Sequence, residues 1–429
     1  MPNLKPIKRK ATKLKSKPVI GIALGGGGPM GGIYEIGALR AIDEALEGLD
    51  LNKLDHYVGV NAGSFVAANL ANQITTAQMC RIFIRHEADV HPFHPHVFYR
   101  PALHEYWSRI RAVPSLFMEA VSSVVKKPSD QSLLEYLTVM AQAVPAGIFD
   151  NEGFHDYIAR AFNSLGRTND FALLDRSLMI IAADLESGET VRFGETGNQD
   201  IPISKAIQSS MASPGVYMPV EYEGRYYMDG TLNKGMHSSV AFEAGCDIVL
   251  ALNPVVPVDI YTESGSPAIQ DGLRDKIIGS GMGNVLAQSY RTMVHSRLYS
   301  GLKNIKREYP KGKLFLFEPT KAQARMFLGS VFSFETRKQV CEQAYQTTRH
   351  ALLEQADELE EALAPLGVRV RRSVLEDSGR RLSSGLYAEN LPQYEADPLK
   401  TLGKAGKKKD AGARVNRLER ATKRVAAWF

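Results

Sequence analysis

From Val19 to Leu24 apolar residues follow one another without a polar break and stop at glycines, which predicts a strand buried on both faces. The spacing then changes. Ile33, Ile36, Leu39, Ile42 and Leu46 recur every three or four residues, so "GGIYEIGALRAIDEALEGLD" predicts a helix. A second strand is predicted at about 55–60, followed by the corner "NAGS" and by "FVAANLANQ", a helix of small apolar residues able to lie close against a sheet. Alternating strand, loop and helix are the pattern of a parallel α/β sheet.

Residues 91–149 interrupt that pattern. "HPFHPHVFYRPALHEYW" is rich in proline and aromatics and "AVPSLFMEAVSSVV" is apolar, so a lid-like or interfacial insertion is expected there. The α/β pattern resumes with a predicted hairpin over Ser177–Phe193, a helix near Ala212–Ala244 interrupted by turn residues, and a buried strand over Cys246–Pro254. Past Asp271 the pattern is mainly helical, with one strand at Lys313–Pro319 and a long helix from about Glu335 to Leu363. From about Glu376 glycine, serine and charge dominate, which predicts poor order until about Gly412. In the last stretch Val415, Leu418, Thr422, Val425 and Phe429 share a helical face bordered by arginines and lysines, so 413–429 reads as a basic amphipathic helix. The expected organisation is a basic arm over 1–17, an α/β domain over 18–255, a mainly helical extension over 256–375 and a basic tail over 376–429.

A chain of 429 residues with 44% hydrophobic positions supports a sizeable core. Its net charge of +5 conceals an asymmetry: residues 1–17 carry +7 and residues 400–429 carry +8, which leaves −10 for the body. Basic ends of this kind either adhere to an anionic membrane surface or remain solvated tails. No run of about 18 apolar residues occurs, so any membrane contact is expected to be peripheral. The basic start leads into "PVIGIALGGGG", too short and glycine-rich for a secretory segment, and Cys80, Cys246 and Cys341 form no disulfide scaffold, metal or redox motif. Both features fit a cytoplasmic protein. His91, His94, His96 and His104 cluster without a compact zinc spacing, so neither a metal nor another cofactor is expected. The basic ends lack interleaved aromatics, which argues against a nucleic-acid partner.

Three stretches carry candidate chemistry. "LGGGGPMGG" places Gly26, Gly27, Gly28 and Gly31 between the first strand and the first helix. Such a loop is a tight turn, a dinucleotide cradle, or a set of backbone N–H groups facing the charge that develops on an acyl oxygen. A dinucleotide site wants an acid at the end of the second strand and a nucleotide triphosphate site wants a lysine in the loop, and neither is present. "GVNAGS" has the Gly59-x-Asn61-x-Gly63 spacing of a strand-to-helix elbow. Asp229, in "YYMDGT", follows a predicted short strand and is either a base or the first residue of an Asp-Gly turn. The first two turns fall at the carboxyl edge of neighbouring strands, where ligands of α/β sheets bind.

Glycine loop, elbow and Asp-Gly, in that order and with "SSMASPGVYMPVEYEGRYYMDG" between the last two, resemble the patatin-like phospholipase family over about residues 18–255. The resemblance implies a three-layer α/β/α sandwich with a mostly parallel sheet, and lipid acyl hydrolysis by a Ser-Asp dyad without a catalytic histidine. It further implies an oxyanion loop over Gly26–Gly31, an elbow over Gly59–Gly63, Asp229 as base, and membrane phospholipid or another acyl-ester lipid as substrate. "SVFSFETR", at Ser330–Arg337, is similar to the extra helical part of bacterial members.

Three positions depart from the family pattern. Pro29-Met30 replaces an arginine after the glycines, Thr231 replaces a smaller residue, and Asn61 stands at the nucleophile position. A carboxamide nitrogen, its lone pair delocalised, cannot act as the attacking group. Ser64 lies roughly 300° around the new helix from position 61 and is expected to point away from the corner. His237 is expected within the following helix, in a packing or hydrogen-bonding role. Two readings follow: an acyl hydrolase whose elbow nucleophile has been exchanged, or a non-catalytic lipid- or membrane-binding pseudoenzyme.

Overall fold

The computed structural model describes residues 17–85, 87, 93–98, 100–102, 107, 145–261, 267–279, 281–328 and 333–386. Its centre is an eight-stranded sheet. The strands are β1 (Ile20–Leu24), β2 (His56–Val60), β3 (Ser177–Asp184), β4 (Thr190–Phe193), β5 (Val220–Tyr222), β6 (Arg225–Asp229), β7 (Ile248–Leu252) and β8 (Lys313–Phe317). Their order is β8-β7-β1-β2-β3-β6-β5, with β4 also on β3. From β8 to β3 every pairing is parallel, whereas β4, β5 and β6 are joined antiparallel.

Continuous apolar strands imply cover on both faces, and the period of two sorts their side chains accordingly. Ile22, Leu24, Tyr57, Ile180, Leu250 and Leu252 belong to one core with helices α1 (Gly28–Ala45), α2 (Ala62–Ala71) and part of α5 (Phe334–Glu354). Ala23, Val58, Val60, Ile181, Val249 and Ala251 face the other way, onto the short helix Ser238–Glu243 and onto Leu298 of α4 (Met282–Glu308). Helix α3 (Ile203–Ser210) also packs its buried Ile203, Ala206 and Ile207 into the first core. The result is the three-layer α/β/α sandwich with a mostly parallel sheet.

The extension after residue 255 is continuous with this body. It supplies edge strand β8 to the sheet, and α5 lies against α1 so closely that a Cβ on Gly37 would stand 2.2 Å from the Cys341 carbonyl oxygen. Three sequence expectations need correction. The interrupted helix over Ala212–Ala244 is instead strand Gly215–Tyr217, the β5-β6 hairpin, a 3-10 turn over Gly230–Leu232 and only one short helix. Glu223 (φ 50°) and Gly224 (φ 76°) both hold positive φ, the backbone that a two-residue hairpin between right-twisted strands requires. The long helix breaks at Gln355, and Ala356–Leu363 forms a separate helix; nothing in the local sequence marks that break. Finally, packing continues ten residues beyond Glu376: Leu382 and Leu386, at i and i+4, bury themselves, and Arg380 places Nε and Nη2 each 2.8 Å from Glu44 Oε2 on α1.

The arm over 1–16, the amphipathic segment 413–429 and most of the 91–149 insertion lie outside the described residues. The base of that insertion is described. Arg100–Pro101 pairs with Gly147–Asp150, which pairs in turn with Gly215–Tyr217, so the insertion is tied to the loop that follows α3.

Candidate active site

Register brings the candidate residues together. Val60, the last residue of β2, pairs with Ile181 of β3, and Asp229, the last residue of β6, pairs with the next residue, Ala182. Ile181 and Ala182 both pair with β4 as well, so β2 and β6 share the opposite edge of β3 and meet end to end. Asn61 and Asp229 therefore leave their strands at one point. The elbow is tight: a Cβ on Gly63 would fall 2.4 Å from the Leu24 carbonyl oxygen, and one on Gly59 would fall 2.5 Å from the Gly63 carbonyl oxygen. Asn61 itself holds φ 53° and ψ −124°, a conformation that costs on the order of 1–3 kcal/mol and persists only where the surroundings fix it. Its own N–H donates to Ser210 Oγ (2.8 Å), which donates onward to the Ile181 carbonyl.

The Asn61 side chain is 2% exposed and fully engaged. Its Oδ1 accepts from the backbone N–H of Gly28 (2.9 Å) and of Ala62 (2.8 Å). Its Nδ2 donates to Asp229 Oδ2 (2.7 Å) and to Ser213 Oγ (3.0 Å). The carboxamide carbonyl thus lies between two convergent backbone donors. Among the glycines, Gly28 is the donor; its left-handed φ of 61° turns the N–H towards the elbow. Gly26 lies under Asn61 and Thr231, where a Cβ would meet Thr231 Cγ2 at 2.5 Å. Gly27 caps α1, and Gly31 donates its N–H to the Gly27 carbonyl within the first helical turn.

Asp229 is 1% exposed and accepts from several donors. Thr231 N–H and Oγ1 serve Oδ1 at 2.9 and 2.7 Å, while Ser213 Oγ serves Oδ2 at 2.7 Å. Tyr290 of α4 hydrogen-bonds Thr231 Oγ1 and reaches Asp229 Oδ2 at 3.4 Å. Burial pushes the carboxyl pKa up, and the donations from Ser213, Thr231 and Tyr290 oppose that shift. His237 precedes the helix Ser238–Glu243 and bonds the Gly230 carbonyl through Nε2 (3.1 Å); burial lowers its pKa to about 4, so it stands neutral behind the Asp-Gly turn. Ser64 Oγ donates to the Asn61 carbonyl and takes no part in the site.

Beside Ala62 lies an apolar cleft with a free volume of about 30 Å³, bordered by Pro29, Ile33, Phe65, Phe83, Phe93 and Met211. Three site residues lie outside the glycine loop, the elbow and the Asp-Gly turn: Ser210, Ser213 and Tyr290. Ala62 follows from elbow geometry, in which the residue after the nucleophile position donates its N–H. The serines lie in "SSMAS" with no spacing that singles them out, and Tyr290 is brought in only by tertiary packing. Among the described residues no group of three His, Cys, Asp or Glu side chains is placed to hold a metal ion.

The chain is similar at low identity to several solved structures. VipD from Legionella pneumophila matches at 14% identity and a TM-score of 0.34, covering 79% of this chain and 67% of that one. Human GIVD cytosolic phospholipase A2, in complex with methyl γ-linolenyl fluorophosphonate and terbium chloride, matches at 13% identity and a TM-score of 0.32 over 82% of this chain. This chain spans 60% of the human enzyme's length. The family model described as patatin-like phospholipase matches residues 22–236, a stretch that takes in the glycine loop, the elbow and Asp229. With half of its length matched, the chain belongs to the patatin-like phospholipase family.

Proposed function

We propose that the site is a lipid acyl-hydrolase centre in which Asn61 stands in place of the elbow nucleophile and Asp229 is the base. One observation carries this reading: the side chain at position 61 bridges the Gly28 and Ala62 amides on one side and the Asp229 carboxylate on the other. A serine there would face a proton acceptor and an oxyanion hole at once, which is what ester cleavage demands. The apolar lining beside Ala62 is compatible with an acyl substituent near that amide, although at about 30 Å³ the cleft as it stands is too small to hold an acyl chain. Acyl transfer through position 61 is closed in the chain as it stands, because a carboxamide offers no nucleophile.

Asn61→Ser is expected to raise hydrolysis of a short-chain nitrophenyl ester by at least ~100-fold, given that losing such a nucleophile costs up to about a millionfold. Asp229→Asn in that background should abolish the gain. Folded Asn61→Ser protein that hydrolyses neither nitrophenyl nor phospholipid esters would remove the hydrolase reading. The second reading, a lipid-binding pseudoenzyme, is favoured by the completeness with which Asn61 satisfies the site: both amides and the carboxylate already have partners.

A further inference from the structure

Asn61 is not the outermost polar side chain of the site. Ser213 is half-buried, in the turn between α3 and Pro214, while Asn61 and Asp229 beneath it are sealed from solvent. The three atoms Ser213 Oγ, Asp229 Oδ2 and Asn61 Nδ2 form a closed triangle with sides of 2.7, 2.7 and 3.0 Å. Ser213 donates its proton to the carboxylate, so it has the relation to Asp229 that a nucleophile has to its base. Met211, two residues earlier, borders the apolar cleft, so the hydroxyl and the cleft lie on one loop.

We propose that Ser213 is a displaced nucleophile: with Asn61 filling the original place, the dyad of this chain is Ser213-Asp229, acting on acyl esters. The proposal rests on the acyl-ester reading above. In the first step Ser213 Oγ bonds to the acyl carbon as its proton passes to Asp229 Oδ2. The ester C–O bond then breaks, the leaving alkoxide recovers the proton from Asp229, and an acyl-serine remains. Water, losing a proton to Asp229 and attacking the same carbon, releases the fatty acid and returns the proton to Ser213.

Asn61 has a defined part in this step. Its carbonyl is anchored by the Gly28 and Ala62 amides, which polarise the carboxamide and fix its NH₂ beside Ser213. Both protons of Nδ2 are committed, one to Asp229 Oδ2 and one to Ser213 Oγ, so Asn61 acts as a positioning residue that leaves the Ser213 proton directed at the carboxylate. A purely structural Ser213, present only to satisfy the Asp229 carboxylate, would give the same hydrogen bonds but no covalent chemistry.

The full chain, Ser213→Ala and Asn61→Ser are incubated with a long-chain alkyl fluorophosphonate, and adducts are mapped by peptide mass spectrometry, with thermal unfolding to confirm that each is folded. The expected result is an adduct on Ser213 in the parent chain, no adduct in Ser213→Ala, and a fall of at least ~100-fold in nitrophenyl ester hydrolysis for that variant. A parent chain that takes no label, or takes it on another serine, overturns the proposal. If the parent is unlabelled but Asn61→Ser is labelled at residue 61, the displaced nucleophile fails and the acyl-ester reading stands. If neither is labelled, both fail.

Discussion

At position 61 stability and chemistry oppose each other. The carboxamide satisfies two backbone donors and a buried carboxylate while holding an unfavourable backbone conformation. A serine is one atom group too short to do all of this, and leaving buried partners unmet costs about 1–3 kcal/mol. Asn61→Ser is therefore expected to unfold more easily than the parent by that amount in a denaturant titration, even as it gains hydrolysis. His237 yields a pH dependence. Its folded pKa lies near 4 against an ordinary 6.5, so between these values the unfolded chain binds the extra proton and stability falls as the pH drops from 6.5 towards 4. Replacing His237 by Gln should flatten that part of the stability–pH curve. The residues of the motif were legible in the sequence because each belongs to a turn with a glycine. Ser213 was not, since its role depends on a partner 16 residues away across a hairpin that the apolar pattern concealed.

The elements themselves were read well where one period dominates. β1, α1, β2, α2, β7 and β8 fall within a few residues of their predicted places, because buried parallel strands leave long aliphatic runs. Among the short strands, β6 falls where one is predicted before Asp229, whereas β5 and the strand Gly215–Tyr217, three residues each, are too short to carry a helix-or-strand period. Packing of α1 against α5 provides a test at this scale. Gly37→Ala would gain about 1 kcal/mol of helix propensity, but its methyl group would force the two backbones apart. A net loss of about 1–3 kcal/mol is expected by chemical denaturation, and an unchanged midpoint would show that the two helices separate freely.

Over the whole molecule the acidic body and basic ends suggest how the site meets its substrate. Among the described residues no helix is long and apolar enough to cross a membrane, and residues 1–17 and 400–429 carry +7 and +8. We propose that these ends adhere to anionic vesicles, with roughly 1 kcal/mol gained per basic residue near the surface. Co-sedimentation with phosphatidylserine vesicles should weaken steadily as salt rises from about 0.05 to 0.5 M, and removal of both ends should abolish it. The extension after residue 255 has a different consequence. It completes the sheet with β8 and lends Tyr290 to the Asp229 cluster, so the stretch that defines the family is not a self-sufficient module here. Grafting residues 22–236 into another protein would transplant a carboxylate stripped of one supporting phenol and a sheet with a raw edge; the whole of 17–386 must travel together.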